Sequence, residues 1–237
     1  MPKYLIADFI VEIEPKFDYL KNLCEPFLYE GERSAEFFAV PSESYLVALK
    51  NRMVEGSTLE QAEELATASL FNQEIISHGA MLVHSSVLVY DNKAYLFTAD
   101  SGVGKSTHTR MWLDKFGEKV HILNDDKPIV KIKNGVPLCC GTPFDGGSKI
   151  ANNETVPIGA IIFIERFDTN FMTIPDTKEI VQRLYTSTVK YVNKEDGMCL
   201  LSNFDNLISH TKFFVLHCNT DKSAVDVAYY AIIKNCK

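Results

Sequence analysis

The residues best suited to chemistry lie in one short run, Ala99-Asp100-Ser101-Gly102-Val103-Gly104-Lys105-Ser106, followed by Thr107. The run fits the phosphate-loop pattern G-x-x-x-x-G-K-[ST], with Ala99 in place of the first glycine. Each position has a physical task. Gly102 and Gly104 free the backbone to fold so that successive N–H groups face an anion. A helix leaving the loop directs its positive end at the same place. Lys105 can then reach the β- and γ-phosphates of a nucleotide, and the Ser106 hydroxyl can ligate Mg²⁺. Asp100, Ser101, Gly102, Val103, Gly104, Lys105, Ser106 and Thr107 are therefore the expected nucleotide-binding residues. Twenty residues beyond Lys105 stands Asn124-Asp125-Asp126. One of these carboxylates can hold Mg²⁺ while the other accepts a proton from an acceptor hydroxyl, a role typically worth roughly 10² to 10⁴ in rate. The same residues also suit a solvated turn ahead of Lys127-Pro128.

Other candidates carry two readings each. His84 either points at the phosphate site from its strand or is a hydrogen-bonded core residue. The glycine-rich stretch 141–149 is either a substrate loop, offering Asp145 or Lys149 to an acceptor, or a surface turn. Arg166 either neutralises a transferring phosphate or forms an ion pair with Glu165 or Asp168. Trp112 reads as core packing, and Lys194-Glu195 with Asp196-Gly197 as a solvated turn. Cys24, Cys139, Cys140, Cys199, Cys218 and Cys236 include no C-x-x-C pair, and the six histidines lack zinc-ligand spacing, so free thiols and no structural metal are expected.

Elements must position these residues. Tyr4 to Ile13 reads as one strand, Phe17 to Phe27 as a short helix, and Glu36 to Val40 and Tyr45 to Leu49 as strands. A capping box of Ser57 and Glu60 opens a helix with an apolar stripe of Leu59, Ala62, Leu65, Ala66 and Leu70, ended by Gly79. Met81 to Tyr90 and Ala94 to Thr98 form a hairpin that feeds the loop, and Thr107 to Phe116 is the helix that leaves it. Val120 to Leu123 is a strand ending at the two aspartates. Ile129 to Lys133 and Val136 to Cys140 flank Asn134-Gly135, a strong hairpin signal. Ala160 to Ile164 is a buried strand, Asp176 caps a helix to about Lys190, Lys212 to His217 is a strand, and Ser223 to Ile233 a closing helix. Consecutive antiparallel pairs on both sides of the loop call for a mixed sheet rather than the parallel sheet of alternating βα units.

With 31 acidic and 24 basic residues in 237, the net charge of −7 argues against broad nucleic-acid binding. The longest apolar run, Val156 to Ile164, is half the length of a membrane span and holds Pro157 and Gly159. No cleavable signal layout opens the sequence, so a cytoplasmic protein without nucleic-acid or membrane partners is expected.

His84, the 101–106 turn and the Asn124-Asp125-Asp126 strand end together resemble the catalytic domain of HPr kinase/phosphorylase, which shares the phosphoenolpyruvate carboxykinase-type P-loop fold. The resemblance covers about Ala80 to Pro143 closely and the rest loosely. It implies an α/β fold: a mixed, partly antiparallel sheet with flanking helices over 79–237, behind a small N-terminal α+β segment, 1–78. It implies ATP and Mg²⁺ as cofactors and phosphoryl transfer to a hydroxyl of a protein, peptide or metabolite. By residue, it implies Lys105 on phosphate, Ser106 and Asp125 at the metal, Asp126 as acid/base, and His84 beside them. The family's hexamers allow for a homo-oligomer. Thr107 stands where that family carries an acidic residue, and its basic glycine-containing loop has no counterpart, so the acceptor stays open. The reading from another class is a nucleotide-binding regulatory protein without transfer, to which the paired aspartates add nothing. A hydrolase coupling ATP cleavage to motion lacks flanking machinery here.

Overall fold

The computed structural model describes residues 1–188 and 194–234. The expected first strand is instead a hairpin, β1 (Lys3–Ile6) and β2 (Phe9–Glu12), because Ala7 and Asp8 both take positive φ and turn the chain. Asp8 is fixed there by Lys131 and Lys133, each 2.8 Å away, contacts that no local pattern announces. Helix α1 (Asp18–Cys24) runs into a 3₁₀ turn, and β3 (Phe37–Phe38) joins β2 in parallel. The expected strand Tyr45–Leu49 is helical: α2 (Glu43–Lys50) is capped by Ser42, whose Oγ accepts from the Tyr45 N–H, and only Leu46 of its eight residues is buried. Helix α3 (Leu59–Ile76) is capped one residue later than expected, by a capping box of Thr58 and Gln61. Its stripe differs too. Leu59 is exposed, whereas Glu64, Ala68, Phe71 and Ile75 face inward.

The remaining chain makes a curled, mixed nine-stranded sheet with flanking helices. The expected strand 81–90 breaks at Val83-His84 into β4 (Ala80–Leu82) and β5 (Ser85–Tyr90), which join different neighbours. Strand β6 (Lys93–Thr98) leads through the glycine loop to α4 (Lys105–Phe116), and β7 (Val120–Asp126) returns beside β5. Strands β8 (Ile129–Lys133) and β9 (Val136–Cys140) form the expected hairpin. Strand β10 (Thr155–Arg166) is longer than expected and serves two neighbourhoods. Its first residues pair antiparallel with β9, and beyond a bulge at Gly159 it lies parallel between β6 and β12 (Phe213–Cys218). An edge strand, β11 (Phe171–Thr173), pairs with β12.

Alternation along β10 sorts its side chains between two cores, as the pleat requires. Ala160, Ile162 and Ile164 meet α4 and α7 (Ser223–Tyr229), including the fully buried Trp112. Ile161 and Phe163 meet α5 (Thr177–Ser187) and α6 (Lys194–His210). Asp176 caps α5 as expected, by accepting from the Glu179 N–H, and the helix ends at Ser187; positions 189–190 of the expected span lie outside the described residues, as does Cys236. The segment read as a solvated turn, Lys194 to Gly197, is the first turn of α6, whose Leu200, Phe204 and Leu207 recur at helical spacing and are buried. A third core joins the N-terminal elements to the sheet, with Phe71 and Ile75 against Ile129, Cys140 and Phe144. The five described cysteines are free thiols. Among the described residues no helix is long and apolar enough to cross a membrane.

Candidate functional site

Strands β6, β7, β10 and β12 run in one direction, and the residues singled out above gather where they end. Thr98 closes β6, Asp126 closes β7, and Ser85, the first residue of β5, pairs with both. In open α/β sheets this edge is where ligands bind. Between Thr98 and Lys105 the chain makes a tight turn, with the Val103 N–H donating to the Asp100 carbonyl at 3.3 Å. Gly102 and Gly104 take φ of +77° and +128°, and a Cβ at either would meet open space. The glycines are thus required by backbone conformation, not by crowding. Gly104 is the N-cap of α4 and provides no side chain to it, which leaves the first-turn N–H groups without a side-chain cap.

Lys105 is buried and its Nζ donates to the Ala99 carbonyl at 3.0 Å, holding the loop from inside. Burial pushes its ammonium below the ordinary lysine range, although Asp126, Asp125 and Asp100 oppose that. Ser106 Oγ donates to Asp125 Oδ1 at 2.9 Å. The two residues placed together by expectation are therefore together in space. Asp100, Ser101 and Thr107 lie exposed on the rim.

Asp126 has different partners from its neighbour. Its Oδ1 lies 3.2 Å from His84 Nε2, and its Oδ2 takes the Lys127 ammonium. Burial acts to raise its carboxyl, but His84 and Lys127 outweigh that and hold it below the usual carboxylate range. Of the two readings of His84, the structure places its imidazole at the site end of the sheet; its backbone N–H donates to the Ser187 carbonyl at 2.7 Å. Asn124 shapes the strand end: its Oδ1 accepts from the N–H groups of Asp126 and Lys127, and its Nδ2 donates to the Thr142 carbonyl. Arg166 pairs with neither Glu165 nor Asp168. Its guanidinium donates to the carbonyls of Gly102 and Val103 and clamps the loop from outside. Glu165 instead pairs with Arg183 and His217.

The 141–149 stretch folds over the strand end. Asp145 is fully buried, its Oδ1 accepting from the Tyr19 hydroxyl and the Gly147 N–H while its Oδ2 has no hydrogen-bond partner, and Lys149 is exposed. Asn124 was named from sequence only as part of the Asn124-Asp125-Asp126 motif, without its role in shaping the strand end, and Lys127, Glu64 and Tyr19 were given no role at the site. Adjacency to the two aspartates is the signal for Lys127; Glu64 and Tyr19 carry none.

Three cavities lie around the loop and the strand end, of which one, about 390 Å³, opens on Ala99, Asp100, Val103 and Arg183. A second, of about 480 Å³, lies between α4 and the ends of β10 and β12, against Gly104, Met111, Phe167 and Asn219. Another, about 250 Å³, opens on His84, Asp126, Lys127 and Ser187. For a divalent cation, Ser106 Oγ and Asp125 Oδ1 supply two hard oxygens, and among the described residues no cluster of three or more His, Cys, Asp or Glu exists. Two protein oxygens fit Mg²⁺, which typically takes one or two from protein and the rest from phosphates and water.

No family model matches the chain, and no curated protein does. Among solved structures it is similar to the Hpr(Ser) kinase/phosphatase from Coxiella burnetii, at 15% identity over 54% of this chain and 95% of that one, with a TM-score of 0.31.

Proposed function

We propose that the chain is an ATP- and Mg²⁺-dependent kinase that transfers the γ-phosphoryl group to a hydroxyl of a protein, peptide or metabolite. The observation that carries this reading is the division of labour between adjacent carboxylates: Asp125 bonds Ser106 at the helix start, while Asp126 is held by His84 and Lys127 at the mouth of a separate cavity. A site that only sensed nucleotide would need the first of these and not the second.

The loop N–H groups and Lys105 bind the triphosphate and stabilise charge on the transferring group. Ser106 and Asp125 would hold Mg²⁺, which when bound neutralises charge on the β- and γ-phosphate oxygens. Asp126, ionised, orients the acceptor hydroxyl and takes its proton as the oxygen attacks the γ-phosphorus. The bond from that phosphorus to the β,γ-bridging oxygen breaks and ADP leaves. A carboxylate held this low is a weak base, which suits a transfer in which the proton moves late. His84 fixes the rotamer of Asp126.

Calorimetry with Mg-ATP and transfer from labelled ATP to hydroxylic acceptors test the reading. Asp126→Asn is expected to bind Mg-ATP like the wild type and to transfer at least about 100-fold more slowly. Transfer at the wild-type rate removes Asp126 from the chemistry. Binding by the wild type without transfer to any acceptor favours the regulatory reading, and absence of binding overturns both.

A further inference from the structure

The 1–78 segment supplies no group of the phosphate loop, yet it reaches the second carboxylate through one turn. The Gly146 N–H donates to Glu64 Oε1 of α3 at 2.9 Å. The Gly147 N–H and the Tyr19 hydroxyl of α1 meet on Asp145 Oδ1, at 2.9 and 2.8 Å. Both carboxylates are buried, at 4% exposure for Glu64 and 0% for Asp145. Behind the turn, Phe144 packs on Phe71 of α3 with ring centroids 5.8 Å apart. In front of it is Asp126, so close that a Cβ on Gly146 would lie 2.7 Å from its Cγ and Oδ2. The turn is tied to the same strand end from below as well, since the Lys127 N–H donates to the Phe144 carbonyl and Thr142 Oγ1 to the Lys127 carbonyl.

We propose that Tyr19 and Glu64 are positioning residues: they hold the Asp145-Gly146-Gly147 turn against Asp126 and so set where that carboxylate stands. Hydrogen bonds to a carboxylate are strong and directional, and two of the three here, the Gly146 N–H to Glu64 and the Tyr19 hydroxyl to Asp145, tie the turn to the 1–78 segment. The side chain of Asp126 is thereby confined by backbone near its Cγ and Oδ2, with no Cβ between. The consequence for transfer rests on the kinase reading above; the consequence for geometry does not.

The test compares Tyr19→Phe, Glu64→Ala and Glu64→Gln in the full chain. Three quantities are read: hydrogen exchange at the Gly146 and Gly147 amides, the ¹³C resonance of the Asp126 carboxyl carbon, and kcat against KM for ATP. Amides of α4 control for folding. Glu64→Ala and Tyr19→Phe are expected to exchange at least about tenfold faster at the turn, to move the Asp126 resonance, and to lower kcat about tenfold with KM for ATP unchanged. Glu64→Gln keeps the acceptor oxygen and is expected to stay within about threefold of wild type. Should the turn loosen while the Asp126 resonance stays put, the contact is structural only and the proposal falls. It falls also if Glu64→Gln is as impaired as Glu64→Ala, since charge and not holding would then be at work. If the turn loosens and the resonance moves in a protein that transfers nothing, the positioning stands and the kinase reading fails.

Discussion

Gly146→Ala and Gly147→Ala together measure how much the placement of Asp126 matters. The two residues are neighbours with positive φ, +61° and +97°, so alanine at either carries a backbone cost of about 1–2 kcal/mol. They differ in what the new methyl group meets. At Gly147 nothing lies within 4 Å, whereas at Gly146 the Cβ would come to 2.7 Å from Asp126 Cγ. Ordinary contact begins near 3.4 Å, so one partner must retreat by about 0.7 Å. The carboxylate is gripped by His84 and Lys127 and the turn by Glu64, so the displacement falls on the geometry of the site. A misplacement of about 1 Å can cost about 100-fold in rate, so Gly146→Ala is expected to slow transfer about 10- to 100-fold and Gly147→Ala less than about threefold. Single-turnover transfer at saturating labelled Mg-ATP reads the first quantity, and urea denaturation of both variants checks that stability falls alike. Equal transfer rates in the two variants would refute the reasoning, because of the two new methyl groups only the one at position 146 meets Asp126.

Two further outcomes follow from groups on the first turn of α4. Lys105→Met is expected to weaken Mg-ATP binding by calorimetry about 10- to 100-fold, the worth of a charge-assisted hydrogen bond of about 1.5–3 kcal/mol. His108 is buried with its Nε2 accepting from Trp112 Nε1 at 3.0 Å, and burial pushes its imidazole from the ordinary 6.5 down to about 4. The unfolded chain therefore binds this proton at higher pH than the folded one, and the contribution is intact above pH 6.5 and lost as pH falls toward 4, by up to about 3 kcal/mol. Denaturation midpoints at pH 7 and pH 4.5 should show that slope in the wild type and a shallower one in His108→Gln.

What could be read from the residues was whatever a local rule fixes. The turn at Asn134-Gly135 pairs β8 with β9 through its own left-handed geometry, and the spacing of Gly102, Gly104, Lys105 and Ser106 placed a strand before the loop and a helix after it. Asp125 and Asp126 were legible as a pair, with Ser106 expected beside Asp125 and His84 at the site, whereas Lys127 as the second partner of Asp126 was not. Elements held by distant contacts were misread. The β1–β2 turn is stabilised by lysines more than 120 residues away, and α2 carries a continuous apolar run, Tyr45 to Leu49, of which only Leu46 is buried, so no helical period shows. Helix α6 was missed despite a visible period of Leu200, Phe204 and Leu207, since Gly197 and the charges at its start suggested a turn. Glu64 is the extreme case: a carboxylate on the inward stripe of a helix has no sequence signature, because its acceptor role is defined by a backbone N–H 82 residues on.

The single tryptophan of the chain, Trp112, is sealed among Phe97, Phe116 and Tyr229 two turns from the start of α4. Its indole is wired to the His108 ring one turn closer to the glycine loop. The molecule thus carries a built-in optical gauge. With one indole, buried on the helix that leaves the glycine loop, a shift of that helix is expected to register in tryptophan emission excited to the red of the ten tyrosines, without a dye or a label.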